Sequence, residues 1–214
     1  MIKIAPSILS ANSACLCDEV KKLEQANADY IHFDVMDGHF VNNITFGPKI
    51  LSDLKKCTNL EFDVHLMVEN PLKFIPWYIN AGADIVTFHF EAMESPVDAI
   101  NLIKSHGIKV GISIKPNTDV SVLIPYLDMI DLILIMSVEP GFGGQTFISK
   151  SIEKITKTKE LIKNKNILIE VDGGINVNTA KDCINSGVDI LVAGTAVFSD
   201  GNYKKNILSL KGEI

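Results

Sequence analysis

Arginine is missing from this chain: all 20 of the basic residues among its 214 are lysine. That removes the guanidinium fork, the group best shaped to clamp a phosphate or carboxylate in two places. An anion bound here must be held by backbone N–H groups, lysine or hydroxyls. Long apolar runs are missing too. No stretch resembles a transmembrane helix, and the opening Met1-Ile2-Lys3-Ile4-Ala5-Pro6 lacks a secretory signal's apolar region and cleavage site, so a cytoplasmic protein with no membrane partner is expected. Basic charge is in deficit, 20 against 26 acidic residues for a net charge of −6, which argues against a nucleic-acid partner. Cysteine is scarce. Cys15-x-Cys17 has the wrong spacing for a zinc knuckle and Cys57 and Cys183 stand alone, so reduced, inert thiols are expected.

What is present is hydrophobic and repetitive. The chain is 47% hydrophobic, enough for a full core. A short motif recurs, Ala81-Gly82-Ala83-Asp84-Ile85-Val86 and Ser186-Gly187-Val188-Asp189-Ile190-Leu191, with a weaker copy at Asn27-Ala28-Asp29-Tyr30-Ile31. Each copy follows a helical pattern and opens an apolar run, with Gly or Asn suited to a left-handed helix cap and Asp at the turn before a buried strand. Eight candidate strands emerge: 2–7, 30–34, 61–66, 85–89, 109–114, 132–136, 167–171 and 190–193. Amphipathic segments lie between them, including 17–26, 71–81, 97–106, 152–163 and 179–186. With no composition break, this pattern predicts an α/β fold: a single (β/α)₈ TIM barrel over residues 1–214. A doubly wound open sheet would normally carry a Gly-rich turn after its first strand, and Ser7-Ile8-Leu9-Ser10 has none. Lys154, Lys157 and Lys159 are read as the solvated face of one helix.

Four residues of metal-binding type sit at strand ends: His32 and Asp34, His65, and Asp172. In a parallel barrel those ends converge on one rim, where chemistry is done. His32 and Asp34, two apart on a strand, share a face and can reach one ion together. Two imidazoles and two carboxylates suit one divalent ion, Zn²⁺ or Fe²⁺ first, with Mn²⁺ or Co²⁺ also compatible. Glycine turns follow the last three strands: Pro140-Gly141-Phe142-Gly143-Gly144, Asp172-Gly173-Gly174 and Ala193-Gly194-Thr195. One such turn is ordinary turn geometry. Three on consecutive late strands point to a backbone cradle for a phosphorylated ligand. Met36, Met67 and Met136 flank the ligand set and would line an apolar, polarizable wall if the extended geometry continues past the strands.

Together these stretches closely resemble the ribulose-phosphate 3-epimerase family. The resemblance is carried by Ile4-Ala5-Pro6-Ser7-Ile8-Leu9-Ser10-Ala11, His32-Phe33-Asp34-Val35-Met36-Asp37-Gly38, Asp63-Val64-His65-Leu66-Met67-Val68-Glu69-Asn70-Pro71, Met136 to Gln145, and Glu170 to Ile175. It runs from Ile4 to about Tyr203. Departures are Asn42 and Phe90 where the family commonly has Pro, and Asn12-Ser13 for Asp-Phe; none removes a ligand. The resemblance implies a barrel of the ribulose-phosphate-binding type, a metal-dependent interconversion of D-ribulose 5-phosphate and D-xylulose 5-phosphate in the pentose phosphate pathway, and a homo-oligomer. It implies Asp34 and Asp172 as the acid/base pair, both also ligating the metal with His32 and His65, and an enediolate stabilised by that ion. Ser7 and His65 would contact the sugar. Gly141, Phe142, Gly143, Gly144, Asp172, Gly173, Gly174, Gly194 and Thr195 would form the substrate and phosphate pocket, with Phe142 on a water-excluding lid.

Three rivals remain at this level. A D-allulose-6-phosphate 3-epimerase would keep the same ligands; Gly143 and the Asp172-Gly173-Gly174 turn favour the pentose enzyme. The decarboxylase and hexulose-phosphate synthase group carries Asp-x-Lys-x-x-Asp on strand three, where this chain has Asp63-Val64-His65-Leu66-Met67-Val68. A non-catalytic sugar-phosphate sensor could lose a ligand, and this chain has lost none.

Overall fold

The computed structural model describes residues 1–214. Its strands are β1 (Lys3–Pro6), β2 (Tyr30–Met36), β3 (Glu61–Met67), β4 (Ile85–His89), β5 (Lys109–Ile114), β6 (Leu132–Met136), β7 (Leu168–Asp172) and β8 (Ile190–Ala193). They form one parallel sheet in the order β1-β8-β7-β6-β5-β4-β3-β2. A parallel bridge between Ser7 and His32 brings its two ends together as the expected barrel. Outside it lie α1 (Leu16–Gln25), α2 (Pro48–Leu54), α3 (Pro71–Ala81), α4 (Val97–Ser105), α5 (Ser151–Leu161), α6 (Val177–Asn185), α7 (Thr195–Phe198) and α8 (Tyr203–Lys211). Between β5 and β6 a 3₁₀ segment, Val120–Tyr126, replaces a helix. Pro125 within it lacks the N–H an α-helical ladder would need.

Alternation along the strands sorts the core into two layers. Outward residues such as Ile31, Phe33, Val35, Val64 and Phe88 join the large cluster under the helices. Inward residues such as Ala5, Ile85, Leu132, Leu134 and Ile190 form a smaller cluster inside the barrel. That interior also buries His32, Asp63, Thr87, Ser113 and Glu170, an unusual polar load for a sealed space.

The repeated Asp has a definite job. Asp29 accepts from the Ile4 N–H, Asp84 from Phe62, Asp131 from Val110 and Asp189 from Ile169, at 2.9, 2.7, 2.8 and 2.9 Å. Each Asp precedes an even-numbered strand and receives the backbone donor near the start of the odd-numbered strand before it. The barrel is thereby stitched in pairs at its lower rim, away from the glycine loops. The joints before three of these aspartates are left-handed, at Gly82 (φ 101°), Gly187 (φ 99°) and Asn27 (φ 61°). Asp84→Ala should cost about 1–2 kcal/mol in denaturant melts, after allowance for its partial exposure, because it strands a backbone donor. Turnover measured on the same variant should stay near wild type, since the joint lies at the far rim.

Two expectations change. Cys17 and Cys57 are not isolated thiols: they are joined in a disulfide between the first turn of α1 and the segment after α2, across 40 residues of sequence. The pairing comes from α1 packing beside α2, which no local spacing signals. Lys154 is not a solvated residue either. It is partly buried and donates to the carbonyls of Lys115 and Pro116 at 2.8 and 2.7 Å. Lys157 and Lys159 are exposed, as expected.

Candidate active site

β2 and β3 run two and one residues past their expected ends and carry extended geometry to Met36 and Met67. The inward face of β2 therefore presents His32, Asp34 and Met36 in succession. β3, paired in register with Asp34 opposite His65, presents Asp63, His65 and Met67. β7 contributes Glu170 and Asp172 by the same alternation.

One donor atom from each of His32, Asp34, His65 and Asp172 lies within 4.8 Å of the others. Asp34 Oδ1 is 3.3 Å from His32 Nε2 and 3.2 Å from His65 Nδ1. His32 Nε2 is fully buried yet has no hydrogen-bond partner. A buried, unpartnered nitrogen aimed at two carboxylates and a second imidazole fits a divalent cation, and the donor set suits one. A deeper trio, His32, Asp63 and Glu170, also clusters. It is a poorer cation site: it lies in the sealed interior with no entry path, and His32 Nδ1 is already bonded to Asp63 Oδ2 at 2.6 Å.

Above the cluster is a cavity of about 340 Å³. Ser7, Asp34, Asp172, the three methionines Met36, Met67 and Met136, and every predicted loop residue (Gly141, Phe142, Gly143, Gly144, Gly173, Gly174, Gly194 and Thr195) line it. His32 and His65 lie beneath its floor with no exposed surface. Ser7 donates to Asp34 Oδ2 at 2.6 Å, fixing that carboxylate from the cavity side. The loop after β6 is tied down by Asn43, whose side chain donates to the Gly141 carbonyl at 2.8 Å, while Phe142 projects outward, 58% exposed.

The two aspartates differ sharply in electrostatics. Burial would push Asp34 up, but the His32 and His65 rings outweigh it and hold the carboxyl well below the usual carboxylate range. Asp172 is raised to about 6 by burial and by the negative charge of Asp34. Burial pulls the His32 imidazole down, but Asp34 and Asp63 overcome it and raise its proton affinity well above the ordinary value. Glu170 is pushed well up by burial and by Asp63.

Several residues of this site escape a reading confined to strand ends. Asp63 and Glu170 are the inward neighbours of His65 and Asp172, so the same i, i+2 rule that pairs His32 with Asp34 would have found them. His89 ends β4 and lies 2.9 Å from His65, nitrogen to nitrogen. Glu91 sits beyond it, held at about 2: burial works upward but is outweighed by hydrogen bonds from His89, Thr118 and the Lys115 N–H. Nothing local in the sequence marks Glu91. Ser10 also faces the pocket, with its Oγ 2.3 Å from where a Cβ on Gly194 would stand.

Known proteins share both fold and sequence with this chain. A Pyrococcus furiosus mutant tryptophan synthase alpha-subunit superposes with a TM-score of 0.74 at 14% identity, covering 99% of this chain and 100% of that one, a likeness of fold alone. The ribulose-phosphate 3-epimerase of Bacillus subtilis is 48% identical over 99% of both chains. The chloroplastic ribulose-5-phosphate-3-epimerase of Arabidopsis thaliana is 46% identical over 98% of this chain and 76% of that protein. The family description "Ribulose-phosphate 3 epimerase family" matches residues 3–198. The chain belongs to the ribulose-phosphate 3-epimerase family.

Proposed function

We propose that this protein is an isomerase that interconverts D-ribulose 5-phosphate and D-xylulose 5-phosphate by moving a proton at C3, in the pentose phosphate pathway. The observation that carries this is a pair of carboxylates, Asp34 buried and Asp172 partly buried, on the floor of a cavity of about 340 Å³ and carried by strands from two sides of the barrel. Inverting a carbon beside a ketone needs a group that takes a proton and another that returns one from the opposite face. Two carboxyls lining the cavity from separate strands supply both roles. Asp34, bonded by Ser7 and flanked by imidazoles, is poised as a base. Asp172, on β7 at another side of the floor, faces the substrate as the acid, and the two exchange roles with reaction direction. His32, Asp34, His65 and Asp172 would hold one divalent ion, Zn²⁺ or Fe²⁺ by donor chemistry. Bound there, it supplies a positive charge for the oxygens that become anionic when C3 loses its proton. Ser7 acts from the sugar side, His65 acts from beneath the floor through Asp34 and the ion it would help to hold, the three methionines give an apolar wall, and Phe142 would shield the floor from water when its loop folds inward. Residues 1–214 are taken as one barrel domain; a cytoplasmic location and a homo-oligomer are proposed with it.

Ribulose 5-phosphate incubated with the metal-loaded protein in D₂O should give xylulose 5-phosphate carrying deuterium at C3, followed by NMR. Binding without exchange would favour the sensor, and faster turnover of a hexulose 6-phosphate would favour the allulose enzyme. The phosphate cradle has its own test. Gly143→Val should raise KM for the phosphorylated sugar by at least about 10-fold, because a Cβ there meets only Ser10 Oγ, at 3.6 Å, so the backbone can accept it while the side chain fills the anion's approach. Gly194→Val is a poorer probe, since its Cβ would collide with Ser10. Lys157→Ala, on the exposed face of α5, should leave KM unchanged. If the lysine change weakened binding more than the glycine change, the backbone cradle would be wrong.

A further inference from the structure

Two imidazoles and two carboxylates form a single line through the upper barrel. Asp34 Oδ1 faces His65 Nδ1 at 3.2 Å, His65 Nε2 faces His89 Nε2 at 2.9 Å, and His89 Nδ1 faces Glu91 Oε2 at 3.3 Å. Both rings are fully buried, so no water can serve either nitrogen pair. The line has three gaps, and each needs one proton or one cation between its two lone pairs. A carboxylate can only accept. Glu91 therefore puts a proton on His89 Nδ1. His89 Nε2 is then the acceptor, and the proton in the middle gap belongs to His65 Nε2. The remaining lone pair of His65 is on Nδ1, directed at Asp34, and that gap is the one left for a cation.

We propose that Glu91 is a positioning residue that acts through His89 to fix the proton of His65 on Nε2, leaving Nδ1 free to ligate. The proposal rests on the metal reading of the His32, Asp34, His65 and Asp172 cluster. Glu91 is itself oriented: its other oxygen, Oε1, accepts from the Lys115 N–H at 2.7 Å and from the Thr118 hydroxyl, both on the segment after β5. Phe40 lies against His89 with ring centroids 4.8 Å apart and keeps the ring from turning over. His32 reaches the same result more simply, since its Nδ1–H donates directly to Asp63 Oδ2 and Nε2, without a hydrogen-bond partner, is the nitrogen left to ligate. The two imidazoles thus present opposite nitrogens to one point, each set by a carboxylate that does not itself belong to the ligand set.

The test is Glu91→Gln. The two donors at the Oε1 position select the carboxamide oxygen, so the NH₂ group faces His89 Nδ1 and donates to it. The line then reverses: His89 carries its proton on Nε2, His65 accepts there, and the His65 proton moves to Nδ1, where the cation would sit. Nitrogen-15 NMR on wild-type protein, metal-free and Zn²⁺-loaded, should show His89 as the Nδ1–H tautomer. Glu91→Gln should show it as Nε2–H. Affinity for Zn²⁺, measured by competition with a chromogenic chelator and independent of turnover, should fall about 10–100-fold, the scale usual for losing a partner behind a metal-bound imidazole. Thr118→Val, which keeps the Glu91 charge, should retain the wild-type tautomer. A wild-type His89 protonated on Nε2 would overturn the proposal even if the variant failed to fold. So would a folded Glu91→Gln protein that bound Zn²⁺ as tightly as wild type. A wild-type protein with the expected tautomers that bound no divalent ion would sink the metal reading alone and leave the proton order standing.

Discussion

Protein stripped of metal by prolonged chelation should show no epimerisation above background, and a divalent ion should restore it. The expectation follows from the donor geometry. Four donor atoms within 4.8 Å of one another, in a pocket where one imidazole nitrogen has no partner, are costly to leave without a counter-charge. His65→Ala should lose both the ion and the activity, because it removes a proposed ligand and also breaks the link to His89. The pH dependence has a defined sign. His32 holds its proton more tightly than an ordinary imidazole, and Asp172 keeps its own up to about pH 6. Both protons must leave before a cation can bind, so affinity should increase as pH rises through about 6, where Asp172 loses its proton, and go on increasing above the ordinary imidazole range, where His32 loses its own, with protons released on binding. Isothermal titration in two buffers of different ionisation enthalpy counts those protons. Full activity in rigorously metal-free protein would remove His32, Asp34, His65 and Asp172 as ligands.

Much of this was legible because strands are local. Period-two alternation and the Gly–x–Asp joints place all eight strands within a few residues, and four of the eight expected spans match the observed ones (85–89, 109–114, 132–136 and 190–193). Once the strands are in a parallel barrel, their C-terminal ends must share a rim, so His32, Asp34, His65 and Asp172 converge without any further information. What was not legible depends on pairings between distant segments or on short elements. The Cys17–Cys57 bond needs α1 beside α2, and α2 itself is only seven residues long, too short for a helical period to stand out. Lys154 reads as exposed by periodicity, but the segment after β5 folds over it and supplies two carbonyls. Glu91 follows β4 on a short 3₁₀ turn, and its role depends on Lys115 and Thr118, which lie 24 and 27 residues on. Asp63 and Glu170 are a different case. They sit on strands correctly placed and obey the alternation already in use, but a search of strand ends passes over residues one layer down.

Replacing either aspartate by asparagine should separate the two halves of the reaction. One base on one face cannot invert C3 unless the deprotonated sugar turns over in the site. Asp34 and Asp172 can act from two faces, since β2 and β7 are separated round the barrel by β1 and β8. Asn keeps the size and one oxygen ligand but cannot take up the proton. Asp34→Asn and Asp172→Asn should therefore each lower turnover by at least about 10²-fold, the usual scale for losing a general acid or base. The two losses should differ in kind. Asp34 is the carboxylate bonded by Ser7 and held ionised by two imidazoles, so its replacement also removes the charge that raises Asp172. Each variant should retain exchange of the C3 proton of whichever epimer presents its hydrogen to the surviving carboxylate. In D₂O, deuterium should enter one epimer without conversion to the other, and the labelled epimer should switch between the two variants. Metal content measured on the same samples separates loss of a base from loss of a ligand. Near-normal epimerisation by Asp172→Asn would require another proton donor on that face. His89 is the one further imidazole bonded to the cluster, but both of its nitrogens are already engaged, by His65 and Glu91, and it does not line the cavity. The geometry therefore leaves Asp172 as the only carboxyl besides Asp34 that lines the cavity, and the exchange pattern of its Asn variant is the measurement that decides the mechanism.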